Sequence, residues 1–181
     1  MKEETFKFIN DLANEIREEN NIEVPIKDMW KVAESLGGQV RSIHAFIEED
    51  WHPGTVKRIN KDSFVIKVDA HFFEFEKRNF DIAYELGHLY LHMGYQILPD
   101  LWAEQPEDEY ICFDKDEQKY QVYEFAHAFL MPKEEYIKAI NKNIEEDGRI
   151  NIKNVAKYFH VSVPAATNRG KRLGVIERWV C

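Results

Sequence analysis

Phe6, Ile9, Leu12, Ala13 and Ile16 recur three and four residues apart, which predicts an amphipathic helix over residues 3–20. Pro25 stands where a second helix would start; Met29, Trp30, Ala33 and Leu36 continue it, and Gly37-Gly38 stop it. From Val40 to Ile47 β-formers dominate, and His52-Pro53-Gly54 reads as a turn. Thr55 to Asn60 and Ser63 to Val68 flank Lys61-Asp62 like the arms of a hairpin. In the second arm Phe64, Ile66 and Val68 share one face while Ser63 and Lys67 share the other. A small antiparallel sheet of about three strands is expected. Helical spacing returns over 77–93 with Phe80, Ala83, Leu86, Gly87, Tyr90 and Leu91. Residues 94–114, with Gly94, Pro99, Pro106 and many acids, read as a long loop of the kind that often carries function. Asp114 with Glu117 resembles a capping box for a helix carrying Val122, Phe125, Ala126 and Phe129. Pro132 ends that helix and can open the next, which runs through Ile140. Two short helices follow at about 151–159 and 163–173, with Gly174 in the C-terminal cap position.

A chain of 181 residues sets a prior of one domain with a small appendage, and its 12 Phe, 8 Tyr and 4 Trp are ample for a core. No apolar run approaches the roughly 18–20 residues of a membrane span, and Met1-Lys2-Glu3-Glu4 lacks the apolar region of a signal peptide. Cys112 and Cys181 are the only cysteines, so a disulfide framework and a zinc ribbon are excluded and a reducing cytoplasm is expected. The net charge of −9 is uneven. Residues 149–181 carry seven basic side chains against Glu177 alone, a net +6, which leaves −15 on residues 1–148. Such asymmetry points to two parts with different partners and argues against nucleic acid covering the whole surface.

Tyr84-Glu85-Leu86-Gly87-His88 carries the candidate chemistry. Residues 84 and 88 lie one helical turn apart, near enough to reach one metal, with Glu85 beside them. The zincin pattern His-Glu-x-x-His uses this spacing for two zinc ligands and a general base. Here Tyr84 stands in the first ligand position. By the five residues alone, an ordinary half-buried helix competes with a site. Glu85, His88 and His92 also share one helical face, so a rebuilt site using them or His127 is an alternative to hydrogen-bonded structural imidazoles at 92 and 127. Gly87 costs about 1 kcal/mol inside a helix and suggests close packing or catalytic clearance.

The run from Asn79 to His92 (Asn-Phe-Asp-Ile-Ala-Tyr-Glu-Leu-Gly-His-Leu-Tyr-Leu-His) resembles the active-site helix of the ImmA/IrrE family of zinc metallopeptidases, and Phe125 to Pro132 (Phe-Ala-His-Ala-Phe-Leu-Met-Pro) is similar to that family's second signature. The resemblance implies an α+β fold: a zincin-like minimal metallopeptidase domain with a small antiparallel sheet over 1–132, then a helical helix-turn-helix-like subdomain over 133–181. It implies Glu85 as the base, and Tyr84, His88 and Gln121 at the three metal-ligand positions. Gln121 stands where the family has its Glu ligand, and Tyr123 where a small polar residue is usual. Two of three ligands of a degenerate His-Glu-x-x-His site are thus replaced. A free phenol ionises near pH 10, so phenolate at pH 7 costs roughly 4 kcal/mol before a metal compensates. Zinc prefers thiolate, imidazole or carboxylate to an amide oxygen. No tightly bound cofactor is expected, with zinc if the site functions.

In the tail, Val155 to Ser162 with Ala166 and Arg169 resembles a helix-turn-helix, with Ser162 as cap, Pro164 in the first turn and His160 where Gly is usual. Arg169, Lys171 and Arg172 are candidate contacts to a partner, or to the acidic part of this same chain. Three readings follow. The first is a pseudoenzyme binding a protein such as a helix-turn-helix repressor of phage, mobile-element or stress-response origin. The second is a metallopeptidase with substituted ligands cleaving such a repressor. The third is a DNA-binding regulator acting through the tail, with DNA the less favoured partner and no membrane involved.

Overall fold

The computed structural model describes residues 2–43, 56–69, 75–107, 110–111 and 115–176. Among them are helices α1 (Glu3–Glu19), α2 (Met29–Ser35), α3 (Phe75–Leu91), α4 (Pro99–Glu104), α5 (Asp116–Leu130), α6 (Lys133–Lys142), α7 (Ile152–Phe159) and α8 (Val163–Arg172). The strands are β1 (Gly38–Ile43), β2 (Val56–Asn60), β3 (Ser63–Asp69) and β4 (Tyr110–Ile111). The architecture is α+β, rich in helix.

The amphipathic stripe of α1 buries Ile9, Leu12, Ala13 and Ile16, each large aliphatic worth about 1.5–3 kcal/mol when fully removed from water. Helix α2 starts four residues later than Pro25 suggests. Asp28 is its cap, its carboxylate accepting from Trp30 N–H at 3.1 Å, because a side-chain acceptor satisfies an otherwise orphaned amide. The hairpin across Lys61-Asp62 is present, with β2 antiparallel to β3. The sheet is nevertheless mixed and four-stranded, in the order β1-β3-β2-β4, because β1 runs parallel to β3. Val65, between Phe64 and Ile66, is also buried, so part of β3 is covered on both faces. The expected strand residues 44–47, the His52-Pro53-Gly54 turn, Thr55, Cys112, Asp114 and Cys181 lie outside the described residues.

The segment expected as loop contains α4, with Pro99 at its start, and the short β4. Trp102 of α4 drives this: it is buried, donates from Nε1 to the Lys61 carbonyl at 2.7 Å and meets Tyr95 edge-on at 4.9 Å. Helix α5 begins with Lys115 as cap and no side-chain cap bond.

Helices α3 and α5 pack side by side. A Cβ at Gly87 would lie 2.9 Å from Val122 Cβ, so this glycine is a close-approach residue that lets α5 lie against α3. The tail follows expectation: the Ser162 hydroxyl accepts from Ala165 N–H at 3.3 Å, and His160 takes the left-handed conformation at φ 54°. A single hydrophobic cluster runs from Ile9 to Ile176 across the boundary expected at 132, through Phe125, Phe129, Tyr136 and Phe159.

Candidate functional site

Helix α3 supplies Phe80, Tyr84, Glu85, His88 and His92 at its end; helix α5 supplies Gln121, Tyr123 and His127. The Gly87–Val122 approach brings the two rows together. His88 Nδ1 lies 3.0 Å from His92 Nδ1, and His92 Nε2 lies 2.9 Å from Gln121 Oε1. His92 thus lies within hydrogen-bond reach of both His88 and Gln121.

The tautomers follow from Gln121. Its carbonyl oxygen can only accept, so His92 Nε2 donates. Burial holds His92 below its ordinary pKa, countered by the bond to Gln121, and burial with the neighbouring His92 holds His88 at about 3. Both rings are thus neutral at pH 7. His92 Nδ1 is then an acceptor, His88 Nδ1 the donor to it, and His88 Nε2 an acceptor.

Tyr84 meets His88 edge-on with ring centroids 5.2 Å apart and meets Tyr123 edge-on at 5.1 Å. Burial, then the Glu85 charge, then Tyr123 push its phenol up to about 12. Glu85 is buried beside it. Tyr123 is half exposed at 47% and touches Phe80 at 5.7 Å. His127 lies deeper. Its Nδ1 donates to the Tyr123 carbonyl at 2.6 Å, its ring meets Phe80 edge-on at 5.0 Å, and its Nε2 makes no hydrogen bond among the described residues. Burial above all holds His127 at about 4. The bond to the Tyr123 carbonyl ties it to its own helix. Beside the cluster a groove of about 710 Å³ is lined by Lys2, Thr5, Glu117, Tyr120 and Gln121, a size in the ~300–1,000 Å³ range of sites that hold small ligands.

The donors of Tyr84, His88 and Gln121, the residues expected at the ligand positions, are a phenol held protonated, one imidazole and an amide oxygen already accepting from His92. Zinc takes imidazole, thiolate or carboxylate, so this set does not fit it. Among the described residues, no three His, Cys, Asp or Glu side chains gather in a way that could hold a metal ion.

The basic tail meets the acidic part of this same chain, the alternative to a contact with a partner. Arg169 is fully buried. Its Nη1 donates to Glu124 Oε1 at 2.8 Å, its Nη2 to Asn10 Oδ1 at 2.9 Å and its Nε to the Met131 carbonyl at 2.9 Å. Arg172 pairs with the other oxygen of Glu124. Lys171 is half-buried. The physical reason is that buried Glu124 on α5 needs compensating charge, and the tail supplies it. Arg17 completes the arrangement, donating to the Ala128 and Phe129 carbonyls at 3.0 and 3.2 Å. Two arginines thus satisfy carbonyls at the C-terminal end of α5, where helices leave acceptors unpaired and favour cations. Sequence reasoning missed Glu124 and Asn10. The available signal was an acid inside the apolar run Val122–Leu130, at a position that must be buried.

No curated protein matches the chain. Among solved structures it is similar to a Mycobacterium tuberculosis transcriptional regulator, with a TM-score of 0.52 at 16% identity. That match covers 96% of this chain but 48% of the other, so the chain spans about half the length of that protein, and the likeness is one of fold. No helix among the described residues is long and apolar enough to cross a membrane. Residues 46–171 match the IrrE N-terminal-like domain (Peptidase_M78), a family that is normally zinc-dependent. The chain belongs to the family of the IrrE N-terminal-like domain.

Proposed function

We propose that this chain is a degenerate IrrE-type homologue that binds a partner protein at the former catalytic cleft without holding zinc tightly. The observation that carries this reading is the Gln121 carbonyl, which stands at the third ligand position and accepts from His92 at 2.9 Å. A carboxylate there would offer charge to a metal; the amide instead closes a neutral chain of hydrogen bonds through His92 to His88. The phenol of Tyr84 adds no second imidazole, and its pKa of about 12 keeps it protonated. Glu85 keeps the base position but has no adjacent donor set suited to zinc.

The partner we favour is a helix-turn-helix repressor of a mobile element or stress response, in a cytoplasmic setting. This rests on the family, and the regulator described for the structural neighbour is compatible with it. DNA recognition by the tail is disfavoured, because Arg169 and Arg172 are spent on Glu124 and a net −15 on residues 1–148 repels phosphate. Incubation of the full chain with such a repressor and added zinc tests the reading. A complex on gel filtration with the repressor intact supports it. Cleavage that disappears in Glu85→Gln overturns it in favour of a peptidase with substituted ligands.

A further inference from the structure

Helix α1 buries Ile9, Leu12, Ala13 and Ile16 on one side and exposes the other. Glu4, Phe8, Asp11, Glu15 and Glu18 follow at intervals of four and three residues, which lines them up as an outer stripe about 21 Å long. Six exposed acids on α1 (Glu3, Glu4, Asp11, Glu15, Glu18 and Glu19) stand against one exposed base, Lys7, which pairs with Asp11 at 2.5 Å. Phe8 stands among them, 58% exposed. This arrangement works against the helix. Asp11–Glu15, Glu15–Glu18 and Glu15–Glu19 are like-charged neighbours one turn apart, and Glu18 and Glu19 stand at the C-terminal end, where a helix favours cations. A groove of about 580 Å³ runs along the same helix toward the start of α6, lined among others by Glu3, Glu4, Asp11, Asn14, Lys133 and Glu134. On the other flank the groove holding Lys2, Thr5, Tyr120 and Gln121 leads from α1 to the candidate site.

A local arrangement that costs stability marks a functional surface. A protein that grips the phosphate backbone of a duplex does so with rows of Lys and Arg. The stripe on α1 offers such rows carboxylates in place of phosphates, on a rod about 10–12 Å across. Phe8 offers the aliphatic stems of the same Lys and Arg an apolar ring to lie on, and the groove toward α6 gives a long basic side chain an acidic recess. We propose that the outer face of α1 docks the basic, nucleic-acid-binding surface of the partner protein, so that the partner holds either this chain or its DNA. This rests on the reading of the chain as one that binds a helix-turn-helix repressor. It adds the surface used and its consequence: the repressor leaves DNA without being cut. The −15 carried by residues 1–148 draws a basic surface in from a distance, and the charges on α1 set where it settles.

The test uses the full chain, labelled with nitrogen-15, and two acetylated, amidated alanine-rich peptides of about 18 residues, long enough to hold a helix in water. One carries a row of Arg along one face; the other carries Glu at the same positions. The Arg peptide should shift the backbone signals of α1 around Phe8 and Glu15, and the Glu peptide should shift none of them. Glu15→Gln with Glu18→Gln and Glu19→Gln should weaken the Arg peptide about 10-fold, and Phe8→Ala about 3- to 10-fold. Glu76→Gln with Glu104→Gln and Glu146→Gln removes the same charge from exposed positions elsewhere and should change binding less than about 2-fold. The α1 triple variant loses like-charged neighbours, so its melting temperature should not fall. In a second arm the Arg peptide is bound to a fluorescein-labelled duplex of random sequence. The natural chain should release the duplex, and the α1 triple variant should need about 10-fold more protein to do so. Equal loss in the two triple variants means attraction by net charge alone and overturns the proposal. Shifts centred away from α1, or no binding of the Arg peptide at millimolar concentration, overturn it as well and leave the cleft reading standing, whereas repressor cleavage in the assay above overturns the parent reading.

Discussion

Helix α5 carries two polar clusters one turn apart, and they obey different physics. Around Gln121 the hydrogen-bonded groups are neutral, an amide and two imidazoles held uncharged by burial, with two phenols and the Glu85 carboxylate beside them. Around Glu124 the groups are ionic: a fully buried carboxylate and fully buried Arg169, joined at the edge by partly exposed Arg172 and the amide of Asn10. A buried charge must be matched or it costs several kcal/mol. The ionic cluster is therefore bound to one arrangement, joining α1, α5 and α8. The neutral cluster loses little by exchanging one partner for another, which is where a family can change its chemistry and keep its fold.

The largest expected effect lies in the ionic cluster. Arg169→Ala removes a guanidinium from a site it shares with Glu124, Asn10 and the Met131 carbonyl. Breaking a buried pair by deleting one partner costs about 3–5 kcal/mol, to be read from the urea midpoint of the full chain. A loss below about 1 kcal/mol would erase the distinction between the clusters.

The second effect is acid sensitivity. The His88 pKa is lowered from 6.5 to about 3 by burial and His92, and that of His127 to about 4 by burial. A lowered folded pKa means that the unfolded chain binds the proton first. Stability from these groups is complete above pH 6.5 and falls as pH drops toward 4, by about 1.4 kcal/mol per pH unit for each group. His88→Gln should flatten that slope in thermal melts between pH 7 and pH 4.5. An unchanged slope would show that His88 is not held neutral.

A third, smaller effect concerns the contact that aligns the clusters. Gly87→Ala places a methyl 2.9 Å from Val122 Cβ. It should cost about 1–3 kcal/mol through overpacking, and Val122→Ala in the same chain should recover part of the loss. The smallest effect is Gln121→Leu, which leaves the His92 Nε2–H without its acceptor and should cost about 1–3 kcal/mol at most, less if water enters from the adjoining groove.

These contrasts also show what a sequence can carry. The contact of Tyr84 with His88 was legible, because helical spacing places the two one turn apart on one face. The hairpin across Lys61-Asp62 was legible from alternation of apolar and polar residues. The parallel β1–β3 pairing was not, since strand direction is settled by long-range packing. Helix α4 escaped because six residues make fewer than two turns, too few to show a repeating apolar face, and only the burial of Trp102 reveals its purpose. The role of Arg169 escaped because its partner lies 45 residues away, and a basic side chain on an amphipathic helix looks the same whether it meets a partner protein or its own core.

The central claim is that Tyr84 and Gln121 leave the family's metal position unsuited to zinc. The most direct measurement is zinc content after equilibrium dialysis, comparing the natural chain with Tyr84→His/Gln121→Glu, which restores two imidazoles and a carboxylate. The account predicts that the natural chain retains no stoichiometric zinc, while the double variant retains about one ion per chain and melts at a higher temperature when zinc is present. Stoichiometric zinc in the natural chain, or none in a folded double variant, would contradict it.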